Sequence, residues 1–194
     1  MRIEGTSNLD DWQVESRSVG GYLETDENFP GNLGRTNSAT DISARVECAV
    51  AVRSLKSVEK DGKPFSNLMD EIMYGKLKAG ESPNIQYRLR KLRLKGVPKT
   101  GEQTYRLECS GELMLAGVTN QVSFPITLER LGSQQLRISG STALRMTDFQ
   151  IEPPAPKIAL GTVKTGDEVK LSFEWVLAPA KGAHSEKAAG ALPR

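Results

Sequence analysis

The stretch Tyr105-Arg106-Leu107-Glu108-Cys109-Ser110-Gly111-Glu112-Leu113-Met114-Leu115 decides the fold class. Tyr105, Leu107, Cys109, Gly111, Leu113 and Leu115 occupy alternate positions, and Arg106, Glu108, Ser110 and Glu112 stand between them. Successive side chains of an extended strand point to opposite faces, so the pattern gives one dry face and one wet face. A helical period would mix the two sets on every side. Strands wet on one face belong to antiparallel sheets.

The same alternation recurs along the chain. Ile42, Ala44, Val46, Cys48, Val50 and Val52 form one dry face over residues 42–52. Val122, Phe124, Ile126 and Leu128 form another, as do Leu136, Ile138, Thr142, Leu144 and Met146, and Val169, Leu171, Phe173, Trp175 and Leu177. Ile85, Tyr87 and Leu89 alternate, after which Leu92 and Leu94 continue one residue out of phase. An extra residue near Arg90-Lys91 has that effect, so a β-bulge is predicted there. Pro98-Lys99-Thr100-Gly101, Gly132-Ser133 and Thr165-Gly166-Asp167 read as hairpin connections. Pro153, Pro154 and Pro156 mark a segment outside the sheet, and residues 28–40 read as a long excursion. About eight strands of this kind call for a closed barrel or a sandwich.

One helix is predicted. Leu68, Ile72 and Leu77 lie near helical spacing, with Met69 and Met73 one step around. Asn67 is its expected N-cap, Asp70 and Glu71 follow in the first turn, and Gly80 and Pro83 end it. Its methionines read either as a soft lid over an apolar opening or, more simply, as helix-on-sheet core.

Composition excludes several functions. The chain has 194 residues, with 26 Lys and Arg against 24 Asp and Glu, a net charge of +2 that argues against a nucleic-acid partner. No apolar run approaches the roughly 20 residues of a membrane-crossing helix. The single histidine, His184, lies in a small polar tail over residues 179–194, which is expected to be flexible. Histidine-based triads and multi-histidine metal sites are therefore not expected. Cys48 and Cys109 cannot make a zinc cluster, both fall on dry faces, and they are read as free thiols rather than an inter-strand disulfide. Asp10, Asp11 and Asp148 suit turn bonding better than a pair of glycosidase carboxylates. The basic run Arg88, Arg90, Lys91, Arg93 and Lys95 reads first as a solvated strand face, and second as a lure for anionic headgroups. Met1-Arg2-Ile3-Glu4 leads into Gly5-Thr6-Ser7 without an apolar leader segment. A cytosolic chain and a mature chain whose leader has been removed both fit that start.

Several segments together resemble the YceI-like family of polyisoprenoid-binding, lipocalin-like periplasmic proteins. Met69-Asp70-Glu71-Ile72-Met73-Tyr74-Gly75-Lys76-Leu77-Lys78 resembles the family's "MDxxMYxxLKA" helix, and Ser82-Pro83-Asn84-Ile85-Gln86-Tyr87 its "xPxIxF" strand start. The segment that opens Gly111-Glu112-Leu113 and closes Gly117-Val118-Thr119-Asn120-Gln121-Val122 is similar to its "GxLxLHGVTKPV" hairpin. Asp148-Phe149-Gln150-Ile151, Gly166-Asp167-Glu168-Val169 and the opening Gly5-Thr6-Ser7 to Asp11-Trp12 resemble "DFGI", "GDEV" and "GTSxLHDW". Ala116 and Asp10 stand where those patterns carry histidine.

The resemblance implies an eight-stranded antiparallel lipocalin-like barrel over residues 1–178, with a helix packed on it. It further implies an apolar tunnel that carries or sequesters a long-chain isoprenoid or similar amphiphilic lipid without catalysis, in the periplasm. The lining residues are then Val46, Val50, Tyr87, Leu89, Leu107, Leu113, Val122, Phe124, Ile126, Ile138, Leu144, Phe173 and Trp175. Alternation alone leaves open whether these side chains fill the interior or surround a ligand. Each methylene of a buried tail contributes about 0.8 kcal/mol, so neither salt bridge nor metal is needed. The expected partner is an amphiphilic lipid, with no nucleic acid and no cofactor beyond a polyisoprenoid or fatty-acid-like molecule. Transient membrane contact and a homodimer are compatible with this reading. The alternatives are a packed β-barrel interaction domain without a lipid, and a hydrolase using Asp148.

Overall fold

The computed structural model describes residues 1–26, 29–31, 33, 41–96, 104–132, 135–158 and 161–180. Its strands are β1 (Arg2–Ser7), β2 (Trp12–Glu15), β3 (Gly20–Thr25), β4 (Asp41–Ile42), β5 (Ala44–Ala51), β6 (Lys56–Val58), β7 (Asn84–Leu94), β8 (Thr104–Leu115), β9 (Val118–Leu131), β10 (Gln135–Arg145), β11 (Lys157–Ile158), β12 (Gly161–Thr162) and β13 (Thr165–Leu177). One α-helix, α1 (Asn67–Lys76), precedes β7. The main sheet is antiparallel and runs β3-β5-β7-β8-β9-β10-β13-β1-β2-β6, with β4 also on β7.

Thirteen strands reduce to eight arms around a barrel. β2 and β3 are one bent stretch of chain, and β5 and β6 are its equally bent partner. β2 pairs with β6 (Val14 opposite Ser57) and β3 with β5 (Gly21 opposite Cys48), the two registers being offset by two residues across the bend. The hydroxyls of Ser16 and Ser54 meet at 2.7 Å in that bend, and Ser54 also donates to the Ala51 carbonyl at 2.6 Å. With β2 on β1 and β5 on β7, each arm is hydrogen-bonded to the next, and the curled sheet comes round on itself. The expected eight-stranded lipocalin-like architecture is present, though hydrogen bonding divides its arms more finely than sequence alternation does.

The phase change in β7 is a bulge. Leu89 faces Gly111 and Lys91 faces Ser110, so Arg90 is the extra residue. Other expectations need correction. Thr165-Gly166-Asp167 is no turn but the start of β13. Val52 leaves the sheet in a 3₁₀ turn, Val52–Ser54. Pro98-Lys99-Thr100-Gly101, Ser133, His184 and most of residues 28–40 and 179–194 lie outside the described residues. The prolines at 153, 154 and 156 fall in a segment without strand, as expected.

The helix packs against β6 and one core cluster, with a different cap and face from those predicted. Ser66, not Asn67, is the N-cap, and its hydroxyl accepts the Met69 N–H at 3.3 Å. Leu68 is 67% exposed, whereas Tyr74 is buried and donates to the Leu55 carbonyl at 2.7 Å. Asp70 is buried as well, accepts the Ser57 N–H at 2.7 Å and pairs with Lys56 at 3.2 Å. Burial works against ionisation of that carboxylate. The Ser57 backbone and side chain and Lys56 outweigh it, so its pKa lies below the usual value. The helical face is thus chosen by polar anchoring as much as by apolar spacing. Met69 and Met73 pack into the core beneath the helix together with Val14, Val52, Leu55 and Phe149.

A second core cluster, built on Leu92, Leu94, Leu107, Phe124, Leu128 and Ile138, occupies another part of the barrel. Tyr87 and Val122 touch both clusters. The ladders around the barrel differ in how far they run: β5 pairs with β7 only over Glu47–Ala51, and the widest contrast is on the two sides of β9. β9 pairs with β8 along twelve residue pairs, but with β10 only as far as Gly140 opposite Ile126.

Candidate functional site

The inward faces of β3, β5, β7, β8, β9, β10 and β13 surround a cavity of about 130 Å³. Strand alternation puts its lining there: each arm turns every second side chain inward. No polar surface faces the cavity. All thirteen residues singled out from the sequence stand on this one wall. Five of them (Val50, Leu107, Leu113, Phe124 and Ile138) are buried, and the other eight are half-buried although they face inward. An inward apolar side chain stays accessible only when the space before it is unfilled. The interior is therefore neither a packed core nor a wide tunnel: its free volume is close to that of engineered apolar cavities of ~150 Å³, which stay dry and accept benzene.

Glycines shape the wall. A Cβ on Gly111 would stand 2.6 Å from the Tyr87 hydroxyl, and one on Gly140 would stand 3.0 Å from the Phe173 ring. These two positions leave room for a series of aromatic rings across the barrel, in which Tyr87 is tilted against Phe124 (centroids 5.6 Å apart) and Phe124 meets Phe173 edge-on (5.9 Å). The Tyr87 hydroxyl is buried without a hydrogen-bond partner. Burial, with the Cys109 thiol beside it, pushes its pKa far above the ordinary phenol value. Cys48 and Cys109 are free thiols on the same wall, as read from the sequence, and burial raises each to a pKa of about 11.

Sequence reasoning missed Met1, Val19, Leu23 and Phe29, which also line the cavity. They come from short or irregular segments without a run of alternation. Cys48, Cys109, Thr142 and Leu171 also line it; alternation had put them on dry faces, where the same phase identifies them. No described residue of α1 reaches the cavity, so the methionines belong to core rather than to a lid.

The other candidates have local roles. Each member of the basic run meets a carboxylate: Arg88 with Glu47 (3.2 Å), Arg90 with Glu112 (2.8 Å), Lys91 and Arg93 with Asp41 (3.1 and 2.7 Å), and Lys95 with Glu108 (2.6 Å). The run is a cross-strand ion-pair face in which four carboxylates meet five cations, so most of its charge is compensated. Asp10 accepts the Asp11 N–H at 2.8 Å, and Asp148 lends its backbone carbonyl to Asn120 at 2.6 Å. No cluster of three or more potential metal ligands occurs among the described residues. Trp12 lies across Gly5, its cross-strand partner, and its indole N–H donates to the Thr6 carbonyl at 3.2 Å.

A family model for the YceI-like domain matches residues 10–177. The chain belongs to the YceI-like family. Solved structures agree on the fold. A polyisoprenoid-binding domain from Saccharophagus degradans, implicated in plant cell wall breakdown, superposes with a TM-score of 0.62 at 11% identity, covering 92% of each chain. BcnA of Burkholderia cenocepacia gives 0.59 at 14% identity, over 91% of this chain and 96% of its own. The Campylobacter jejuni YCEI protein gives 0.56 at 13% identity, over 87% and 85%. No curated protein matches the sequence. The motifs of this YceI-like chain have structural work to do. The opening motif stacks Trp12 on Gly5, the helix motif anchors Asp70 and Tyr74, and the hairpin motif supplies Ala116 and Gly117, whose φ values of 51° and 83° make the tight turn between β8 and β9.

Proposed function

We propose that this YceI-like protein binds a long-chain isoprenoid or similar amphiphilic lipid inside the barrel, as a non-enzymatic carrier or sequestering protein of the periplasm. The observation that carries the reading is the set of eight inward-facing apolar side chains left accessible around an entirely apolar void. A filled β-barrel interaction domain has no reason to leave them so. The void takes the first part of a chain. A longer tail extends it by displacing half-buried wall residues such as Val46, Leu89 and Trp175. At about 0.8 kcal/mol per methylene, several buried carbons outweigh a modest rearrangement of side chains. The likeness in fold to a polyisoprenoid-binding domain supports the same class of ligand. Organic extraction of the purified protein followed by mass spectrometry tests it. A co-purifying long-chain lipid near one per protein is expected. Absence of lipid, before and after incubation with polyprenyl lipids, favours the packed interaction domain.

A further inference from the structure

The barrel wall is split along β9 and β10. Their pairing stops at Gly140 opposite Ile126, although both strands continue, β10 to Arg145 and β9 back to Val118. The next residue of β9 is Pro125, which has no N–H to give to a ladder and is unusual inside a sheet. A Cβ on Gly140 would stand 3.0 Å from the Pro125 carbonyl, so the two chains approach closely just where they part. Below that point a groove of about 580 Å³ runs between residues 120–123 of β9 and 142–145 of β10. Its floor is formed by Asp148 and Phe149 of the turn Thr147–Phe149, which is held to β13 by Asp167 through the Thr147 N–H (2.9 Å) and hydroxyl (2.7 Å).

Three residues, Val122, Thr142 and Leu144, line both this groove and the apolar cavity. The groove is polar and the cavity is not, so a wet site and a dry one lie on the two sides of the same three residues. We propose that this split is the lateral doorway of the barrel, with the tail of an amphiphile in the cavity and its head in the groove. The proposal rests on the lipid reading above and narrows it to a chemical class. The groove offers Arg145 against Asp148 and Glu168; Asn120, Gln121 and Ser123 also line it, with bonds of their own to the Asp148 carbonyl, Glu112 and Ser110. Two carboxylates against one guanidinium repel a multiply charged anion and suit an uncharged hydroxyl- or amide-bearing head.

The test follows uptake of the uncharged fluorophore N-phenyl-1-naphthylamine by stopped flow. Ala143→Trp and Ser123→Trp each place an indole on the exposed side of the groove, and Arg106→Trp places one on the outside of β8 as a control. Ala143→Trp and Ser123→Trp should slow both uptake and release about tenfold, with Arg106→Trp at the wild-type rate. In competition with the fluorophore on the wild-type protein, farnesol should act at about tenfold lower concentration than farnesyl diphosphate. Wild-type rates in both groove variants overturn the doorway and leave the lipid reading standing. Equal or better displacement by the diphosphate overturns the assigned head class. Failure of the wild-type protein to take up the fluorophore or farnesol overturns the lipid reading itself.

Discussion

Among the described residues of the cavity wall, Tyr87 carries the buried polar atom that lacks a conventional hydrogen-bond partner, and its environment makes a definite forecast. Because its hydroxyl has only the weakly bonding Cys109 thiol beside it, Tyr87→Phe removes a desolvation cost and at most a weak sulfur contact. Stability from urea unfolding should stay level or rise by about 1 kcal/mol; a fall of more than about 1 kcal/mol would mean that the hydroxyl is bonded after all. The cysteines give a second forecast at this scale. A pKa of about 11 for Cys48 and Cys109 leaves about one thiol in a thousand ionised at pH 8. Both should resist a disulfide reagent in the native protein and react together once guanidinium unfolds it, and rapid native labelling would contradict their burial. Gly111 gives a third. Gly111→Ala puts a methyl group against the Arg88 carbonyl and the Tyr87 phenol and should cost about 1–3 kcal/mol by overpacking. The sequence shows that Gly111 and the cysteines are in phase with the wall. That Gly111 makes room for a ring from the neighbouring strand needs the register of β7 on β8, which no single-strand pattern contains.

At the scale of elements, α1 is held by its polar contacts to β6. Asp70 has a depressed pKa in the folded protein, so the stability it contributes is present above the unfolded carboxylate value and is lost as pH falls through the lower folded one. Asp70→Asn should therefore cost about 2 kcal/mol at pH 7, and less as pH drops below about 4, read from urea midpoints across pH. A constant cost at every pH would contradict the role of the charge. The strands and the bulge at Arg90 were legible because alternation and its phase slip are local signals. The helical face was not, since Leu68 and Ile72 have the right spacing while tertiary bonds to Ser57 and Leu55 turn Asp70 and Tyr74 inward. The bend joining β2 to β3 was equally hidden, because closing a barrel is a property of pairing rather than of any one segment. Pro125 lies within the alternating run 122–128 without breaking its phase, and its consequence, the parting of β9 from β10, depends on which neighbour lies on that side.

For the whole molecule the central claim is a barrel that is not filled by its own side chains. Thirteen wall positions follow from alternation together with family likeness, and the structure brings them around one void. The size of that void was not legible, since it is set by how far eight arms stand apart and by two glycines that admit aromatic rings. A ligand bound only by the folded state stabilises it by about 2.7 kcal/mol at a hundred times its dissociation constant. The most direct measurement is native mass spectrometry of the delipidated protein with a twenty-carbon prenyl alcohol, joined to its thermal unfolding midpoint. One alcohol per chain is expected, with a midpoint that rises with alcohol concentration. A protein that stays bare, with an unmoved midpoint, would contradict it.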